Sequence, residues 1–227
     1  GRCRRGRRFG IMAVAEAEFD LVIFDCDGVL INSEEIASQV CAEAVAELGL
    51  IMTPYDYASR YAGMPVAEAW RRVEADSGKP LPDGFRDRVD TEIRRRFDIE
   101  LATIDGMVDV LRESAHPRCV ASSTRLPLLQ KNLTKTGLID FFAPGVFSVT
   151  QVKRGKPAPD VFLYAASQMG ADPSRCIVVE DSVAGVTAGR RAGMEVIGFM
   201  GGGHSSPAIK ASLEQAGARR IAANAVA

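Results

Sequence analysis

The apolar residues of this chain follow two different patterns. Short runs with little polar interruption recur at Phe19–Phe24 (FDLVIF), Arg118–Ala121 (RCVA), Val146–Val149, Cys176–Val179 (CIVV) and Glu195–Phe199. Runs of this kind predict strands buried on both faces of a parallel sheet. Between them, apolar positions fall at helical spacing. Met107, Val110 and Leu111 share a face within 106–115, and helices are predicted over 127–135, 159–169 and 183–192 as well. Strands alternating with helices of this length predict an α/β fold built on a doubly wound parallel sheet.

Residues 33–104 break that alternation. Glu34–Leu48 reads as an amphipathic helix stopped by Gly49, and 66–77 and 83–98 read as two more helices. The last of these is dense in charge, with Arg86, Arg88 and Arg94 to Arg96 on what reads as a solvated face. The pattern predicts an all-helical cap over 33–104, inserted into a core made of 12–32 and 105–227.

Composition narrows the class. Of 227 residues, 47% are hydrophobic and 25% charged, as in ordinary globular proteins. No apolar run approaches the roughly 20 residues that cross a bilayer, so no membrane association is expected. Five cysteines without a CxxC spacing indicate neither a disulfide framework nor a zinc site, and point to a reducing, cytoplasmic setting. Residues 1–11 carry Arg2, Arg4, Arg5, Arg7 and Arg8 and no acid. Removing those five from the 28 basic side chains leaves 23 against 29 acidic ones, so the body of the chain is not built for a polyanion. A nucleic-acid-binding arm is one reading of this segment. The preferred one is a disordered expression remnant or upstream-translated stretch ahead of Met12, with no nucleic-acid partner.

Four polar clusters follow the predicted strands, where open α/β sheets place their ligand sites. Asp25-Cys26-Asp27-Gly28 follows the first; two carboxylates in one turn can divide nucleophilic and proton-transfer roles, although a plain Asp-Gly turn has the same letters. Ser122-Ser123-Thr124 follows the second and offers hydroxyls and N–H groups at a helix start, for a phosphate or merely as a cap. In Gly155-Lys156-Pro157-Ala158-Pro159, two prolines stiffen the loop that carries Lys156, an ammonium suited to phosphate oxygens. Glu180-Asp181-Ser182 follows the CIVV strand, and its acid pair suits a hard Mg²⁺ ion or a helix N-terminus. Two acid clusters meeting at one rim would repel unless a cation lay between them. The order of acid turn, hydroxyl, lysine and acid pair is more specific than any single member.

With these motifs (FDCDGVLINSE, VASST, GKPAPDVF and VVEDSVAGVTAGRRAGM) the chain resembles the haloacid dehalogenase-like hydrolases over roughly 19–198. A helical cap between the first two motifs is similar to the subgroup containing β-phosphoglucomutase, phosphoglycolate phosphatase and sugar-phosphate phosphatases. RFDIELATIDGM and the fourth motif most resemble 6-phosphogluconate phosphatase-type members. The resemblance implies a Mg²⁺-dependent phosphatase of a small phosphorylated metabolite, a sugar phosphate or sugar-acid phosphate. Asp25 would be nucleophile and metal ligand. Asp27 would be the general acid/base, with its backbone carbonyl on the metal. Ser122, Ser123 and Lys156 would hold phosphate, and Asp181 and Glu180 would complete the metal site. Ser33 and Arg125 would flank the substrate.

Relatives with other chemistry separate unevenly. Asp27 argues against a dehalogenase, and the cap's lone lysine, Lys79, against a phosphonatase. Ala37 stands where β-phosphoglucomutases carry a cap histidine, which leaves a mutase as the alternative. A silent binding protein would have lost one of the core groups, and none is lost. Substrate choice falls to the cap. There the stretch Arg60–Met64 reads either as a site-facing loop, with Arg60 and Gly63 at the substrate, or as a simple inter-helix turn. His116 and His204 have no companions at ligand spacing, and Cys26 is given no catalytic role because its acid neighbours disfavour a thiolate.

Overall fold

The computed structural model describes residue 11, residues 19–61, 64, 66–203 and 206–225. Six strands, β1 (Leu21–Phe24), β2 (Arg118–Ser122), β3 (Val146–Ser148), β4 (Cys176–Glu180), β5 (Glu195–Phe199) and β6 (Arg220–Ala222), form one sheet. Every pairing is parallel, in the order β3-β2-β1-β4-β5-β6. The chain therefore builds outward from β1 in one direction, then returns to add β4 on its other side. The switch point lies between β1 and β4, and in such sheets the crevice beyond the carboxyl ends of these strands is where ligands sit.

Strand alternation divides the core. Val22 and Phe24 face a cluster with Met107, Leu111, Leu129 and Phe142. Leu21 and Ile23 face the opposite one with Phe162, Val186 and Leu213. Helices α5 (Met107–Glu113), α6 (Leu126–Lys135) and α7 (Ile139–Phe142) supply the first layer. Helices α8 (Asp160–Gln168), α9 (Val183–Arg191) and α10 (Pro207–Ala216) supply the second. Predicted and observed bounds agree within two residues for the five strands and the four core helices that the pattern indicated. The short α7, together with α10 and β6, went unread.

Four helices lie between β1 and α5: α1 (Ser33–Ala46), α2 (Pro54–Tyr61), α3 (Val66–Ser77) and α4 (Phe85–Glu100). They share an apolar cluster of their own, with Val45, Tyr61, Trp70, Val73 and Phe85 at its centre. Trp70 and Phe85 meet edge to face at 5.7 Å. Helix α2 had not been anticipated as a separate element. The two linkers to the core run side by side. Ile31 bridges Thr103 in antiparallel sense, Ile104 N–H donates to Leu30 O at 3.0 Å, and Asn32 N–H donates to Ala102 O at 3.1 Å. Asn32 Oδ1 accepts from Ala102 N–H at 2.9 Å, closing the ladder.

Of the basic arm, residues 1–10 lie outside the described set, while Ile11 is buried in the first core cluster. The four described cysteines are buried and unbridged. No described helix is long and apolar enough to cross a membrane.

Candidate active site

The site forms because four loops leave the same edge of the sheet. After β1, Asp25 N–H still donates to Val179 O at 2.9 Å, which keeps Asp25 beside β4. The chain then turns: Cys26 O accepts from Leu30 N–H at 2.9 Å and Ile31 N–H at 3.2 Å. Gly28 carries φ of +73°, and a Cβ there would run into the Asp181 carboxylate, so both conformation and space demand glycine.

Lys156 enters from the loop after β3 and is almost wholly buried. Its Nζ donates to Asp25 Oδ1 at 2.7 Å, Glu180 Oε1 at 2.7 Å and Ala121 O at 3.0 Å. Three acceptors satisfy the three donors of an ammonium. Burial alone would lower its pKa, but the Asp25 and Glu180 carboxylates outweigh that and hold it above its ordinary range. Glu180 is fully buried, and its Oε2 accepts from Ser182 N–H and Ser182 Oγ, both at 2.9 Å. Ser182 Oγ in turn accepts from Gly185 N–H at 3.0 Å, capping α9.

Asp25, Glu180 and Asp181 each bring one oxygen to a group in which all lie within 4.8 Å of one another. Burial pushes Asp25 up to about 8; Lys156 opposes the rise, and Glu180 and Asp27 add to it. Burial and Glu180, Asp25 and Glu34 likewise raise Asp181. Among the described residues, the Lys156 ammonium pairs with two of these three carboxylates, Asp25 and Glu180. An all-oxygen set of buried carboxylates with residual negative charge fits a hard divalent cation.

Asp27 is directed elsewhere. Its Oδ1 accepts from Ser33 Oγ at 2.8 Å, and its Oδ2 accepts from Thr124 Oγ1 at 2.7 Å and Ser122 Oγ at 3.3 Å. The turn thus aims its two carboxylates apart, one at the acid group and one at hydroxyls.

Ser33, Ser122, Lys156, Glu180 and both aspartates of the turn are brought together. Ser123 and Arg125 lie exposed on the loop into α6. Thr124 N–H is taken by Ser122 Oγ at 2.9 Å, so this amide of the expected cradle points inward. Arg60 differs from the expected loop position. It belongs to the last turn of α2, and its Nε pairs at 3.0 Å with Asp76, which also accepts from Tyr61 Oη at 2.7 Å. The guanidinium is committed to tying α2 to α3. It also lines an open cavity of about 750 Å³ reaching Gly49–Met52, beyond the far end of α1 from Ser33. Gly63 and His204 lie outside the described residues. Cys26 is buried, its thiol pushed well above the usual range by burial and by Asp27 and Asp25.

Two residues at the site act differently from the sequence reading, which placed Thr124 only in the phosphate cradle or cap and gave Glu34 no role. Thr124 holds Asp27, and Glu34, the first acid of α1, lies partly buried beside the acid group. Burial, Asp27 and Glu180 push Glu34 up to about 7. Both stand inside motifs already singled out, VASST and INSE, but only the fold shows what they face.

A family model described as haloacid dehalogenase-like hydrolase matches residues 19–193, the span that contains every group above. The chain belongs to the haloacid dehalogenase-like hydrolases. Among proteins similar to this chain, the 6-phosphogluconate phosphatase of Escherichia coli K12 is 32% identical over 194 residues, 85% of this chain and 88% of its own. A haloacid dehalogenase-like protein of Agrobacterium tumefaciens superposes with a TM-score of 0.87 at 39% identity, covering 91% of this chain and 94% of that one. A HAD family hydrolase of Deinococcus radiodurans, solved with bound phosphate and sodium, has a TM-score of 0.80 at 32% identity, covering 91% of each chain.

Proposed function

We propose that the protein is a Mg²⁺-dependent phosphatase of phosphorylated carbohydrates, acting through a phospho-enzyme on Asp25. The observation that carries this reading is the contact of Lys156 Nζ with both Asp25 and Glu180, which joins a nucleophile, a cation and an acid group at one sheet edge. The 6-phosphogluconate phosphatase relative supports the carbohydrate class.

In the first half-reaction an Asp25 carboxylate oxygen forms a bond to phosphorus, the bond from phosphorus to the sugar oxygen breaks, and Asp27 gives its proton to the departing alkoxide. In the second, a water oxygen attacks phosphorus, the bond to Asp25 breaks, and the water's proton passes to Asp27. Lys156 holds one Asp25 oxygen and leaves the other for the attack. Ser33 and Thr124 hydroxyls can donate to ionised Asp27 or accept from its protonated form, so Asp27 keeps its position through both halves. Ser122, with Ser123 and Lys156, binds the transferring group. Asp25, Asp181, Glu180 and the Asp27 carbonyl would hold Mg²⁺, which when bound offsets charge between carboxylate and phosphate. The helices of 33–104, as a cap, would choose the organic part of the substrate, with Arg125 at its rim.

The test is phosphate release from sugar phosphates, 6-phosphogluconate, phosphoglycolate and nucleotides, with Mg²⁺ and then with EDTA. Mg²⁺-dependent release from the sugar compounds, abolished by Asp25→Asn, is expected. Full activity in Asp25→Asn would sink the nucleophile assignment. No release by folded protein would move the reading to a sugar-phosphate mutase or a silent member of the family.

A further inference from the structure

Three consecutive residues at the base of the cap reach three different parts of the site. Asn32 closes the linker ladder, Ser33 donates to Asp27, and Glu34 lies beside Asp181. Gly28 shows how close that last approach is. A methyl group built on its α-carbon would collide with the Asp181 carboxylate and stand 3.2 Å from Glu34 Cγ. The catalytic turn is thus pinched between a core acid and a cap acid, and only a bare α-carbon fits between them.

Among the described residues, no cation is paired with Glu34. Lys156, the buried cation of the group, is bound to Asp25 and Glu180. No hydrogen bond or ion pair among the described residues holds the Glu34 carboxylate. A partly buried acid set against like charge is unfavourable unless a cation shares the space. The next residue, Glu35, is exposed, whereas Glu34 is half-buried.

We propose that Glu34 is a fourth carboxylate of the divalent-metal site, brought in by the cap. It is not among the three acids whose oxygens lie within 4.8 Å of one another, so its place is with the ion's coordinated water. Mg²⁺ keeps several waters, and groups that hold such ligands from outside are worth about 10- to 100-fold in metal affinity. The consequence is reciprocal linkage: the ion steadies the first turn of α1, and the placement of that turn sets the ion's affinity. The proposal rests on the divalent-metal reading of the Asp25, Glu180 and Asp181 group.

The experiment is calorimetric titration of Mg²⁺ into the EDTA-stripped full chain and into E34Q, E35Q and D181N, each checked for folding by circular dichroism. E34Q and E35Q remove the same charge from the first turn of α1, so a helix-dipole effect would weaken both alike. The expected result is binding about tenfold weaker in E34Q, unchanged in E35Q and lost in D181N. Equal affinity in E34Q and the unaltered chain would overturn the proposal. So would a raised KM for substrate at unchanged metal affinity, which would put Glu34 on the substrate. No Mg²⁺ binding by the unaltered chain would instead overturn the metal reading itself. Should E34Q fail to fold, Glu34→Asp answers the same question by shortening the carboxylate: weakened binding supports the proposal, and unchanged binding overturns it.

Discussion

Lys156 joins two buried carboxylates that would otherwise repel each other, and its removal leaves both without that cation. Breaking a buried pair by deleting one partner costs about 3–5 kcal/mol, far more than an exposed bridge contributes. Lys156→Met is therefore expected to lower the urea midpoint strongly and to abolish phosphate release with Mg²⁺ present; an unchanged midpoint would contradict the pairing. Gly185 sets two effects against each other. Alanine would add about 1 kcal/mol of helix propensity to α9. Its Cβ would also collide with the Glu180 carboxylate, which Lys156 and Ser182 hold in place, and overpacking costs about 1–3 kcal/mol. Gly185→Ala is expected to lower Tm and weaken Mg²⁺ binding, both readable in one thermal-shift titration. Lys156 was legible because a proline-stiffened loop announced it. Thr124 was not, since the acid it holds lies 97 positions away.

Among elements, legibility followed apolar spacing rather than length alone: α5, of seven residues, was readable, while α10, of ten, was not. Helix α1 and the core helices of nine or more residues declared themselves by apolar spacing, with α10 the exception, and α1 ends just ahead of the predicted stop at Gly49. Helix α2 spans only eight residues, and its buried Tyr57 and Tyr61, whose tilted rings meet at 5.0 Å, pack into a cluster built by helices distant in sequence. Helices that short are marginal alone and exist through packing. The same holds for α7, of four residues, and for β6, three residues defined by pairing with β5. The paired linkers form a hinge-like element with one side-chain clasp. Asn32→Ala would remove a hydrogen bond worth about 0.5–1.5 kcal/mol. The expected effect is faster hydrogen exchange at the Ala102 amide with the central strands unchanged; uniform acceleration would mean global destabilisation instead.

For the whole molecule, crowded acids tie stability to pH. Asp25 rises from 3.8 to about 8, and Glu34 from 4.5 to about 7. Between the ordinary and raised values the folded protein keeps protons that the unfolded chain has released, so stability falls as pH rises. That contribution is complete below the ordinary values and gone once pH passes the raised ones. Metal-free protein in EDTA is expected to lose Tm steadily from about pH 5 to about pH 8.5, and Mg²⁺ should flatten the profile by favouring the ionised carboxylates. A flat metal-free profile would contradict the crowding. The α/β class, the helical insertion and the four polar motifs are readable along the chain, because apolar period and turn chemistry act over a few neighbouring residues. The switch point between β1 and β4, the commitment of Arg60 to Asp76 and the separate aims of Asp25 and Asp27 emerge only once the chain is folded. Lys156 and Asp25 are 131 positions apart, and contacts at that range depend on which strand edges the fold brings together.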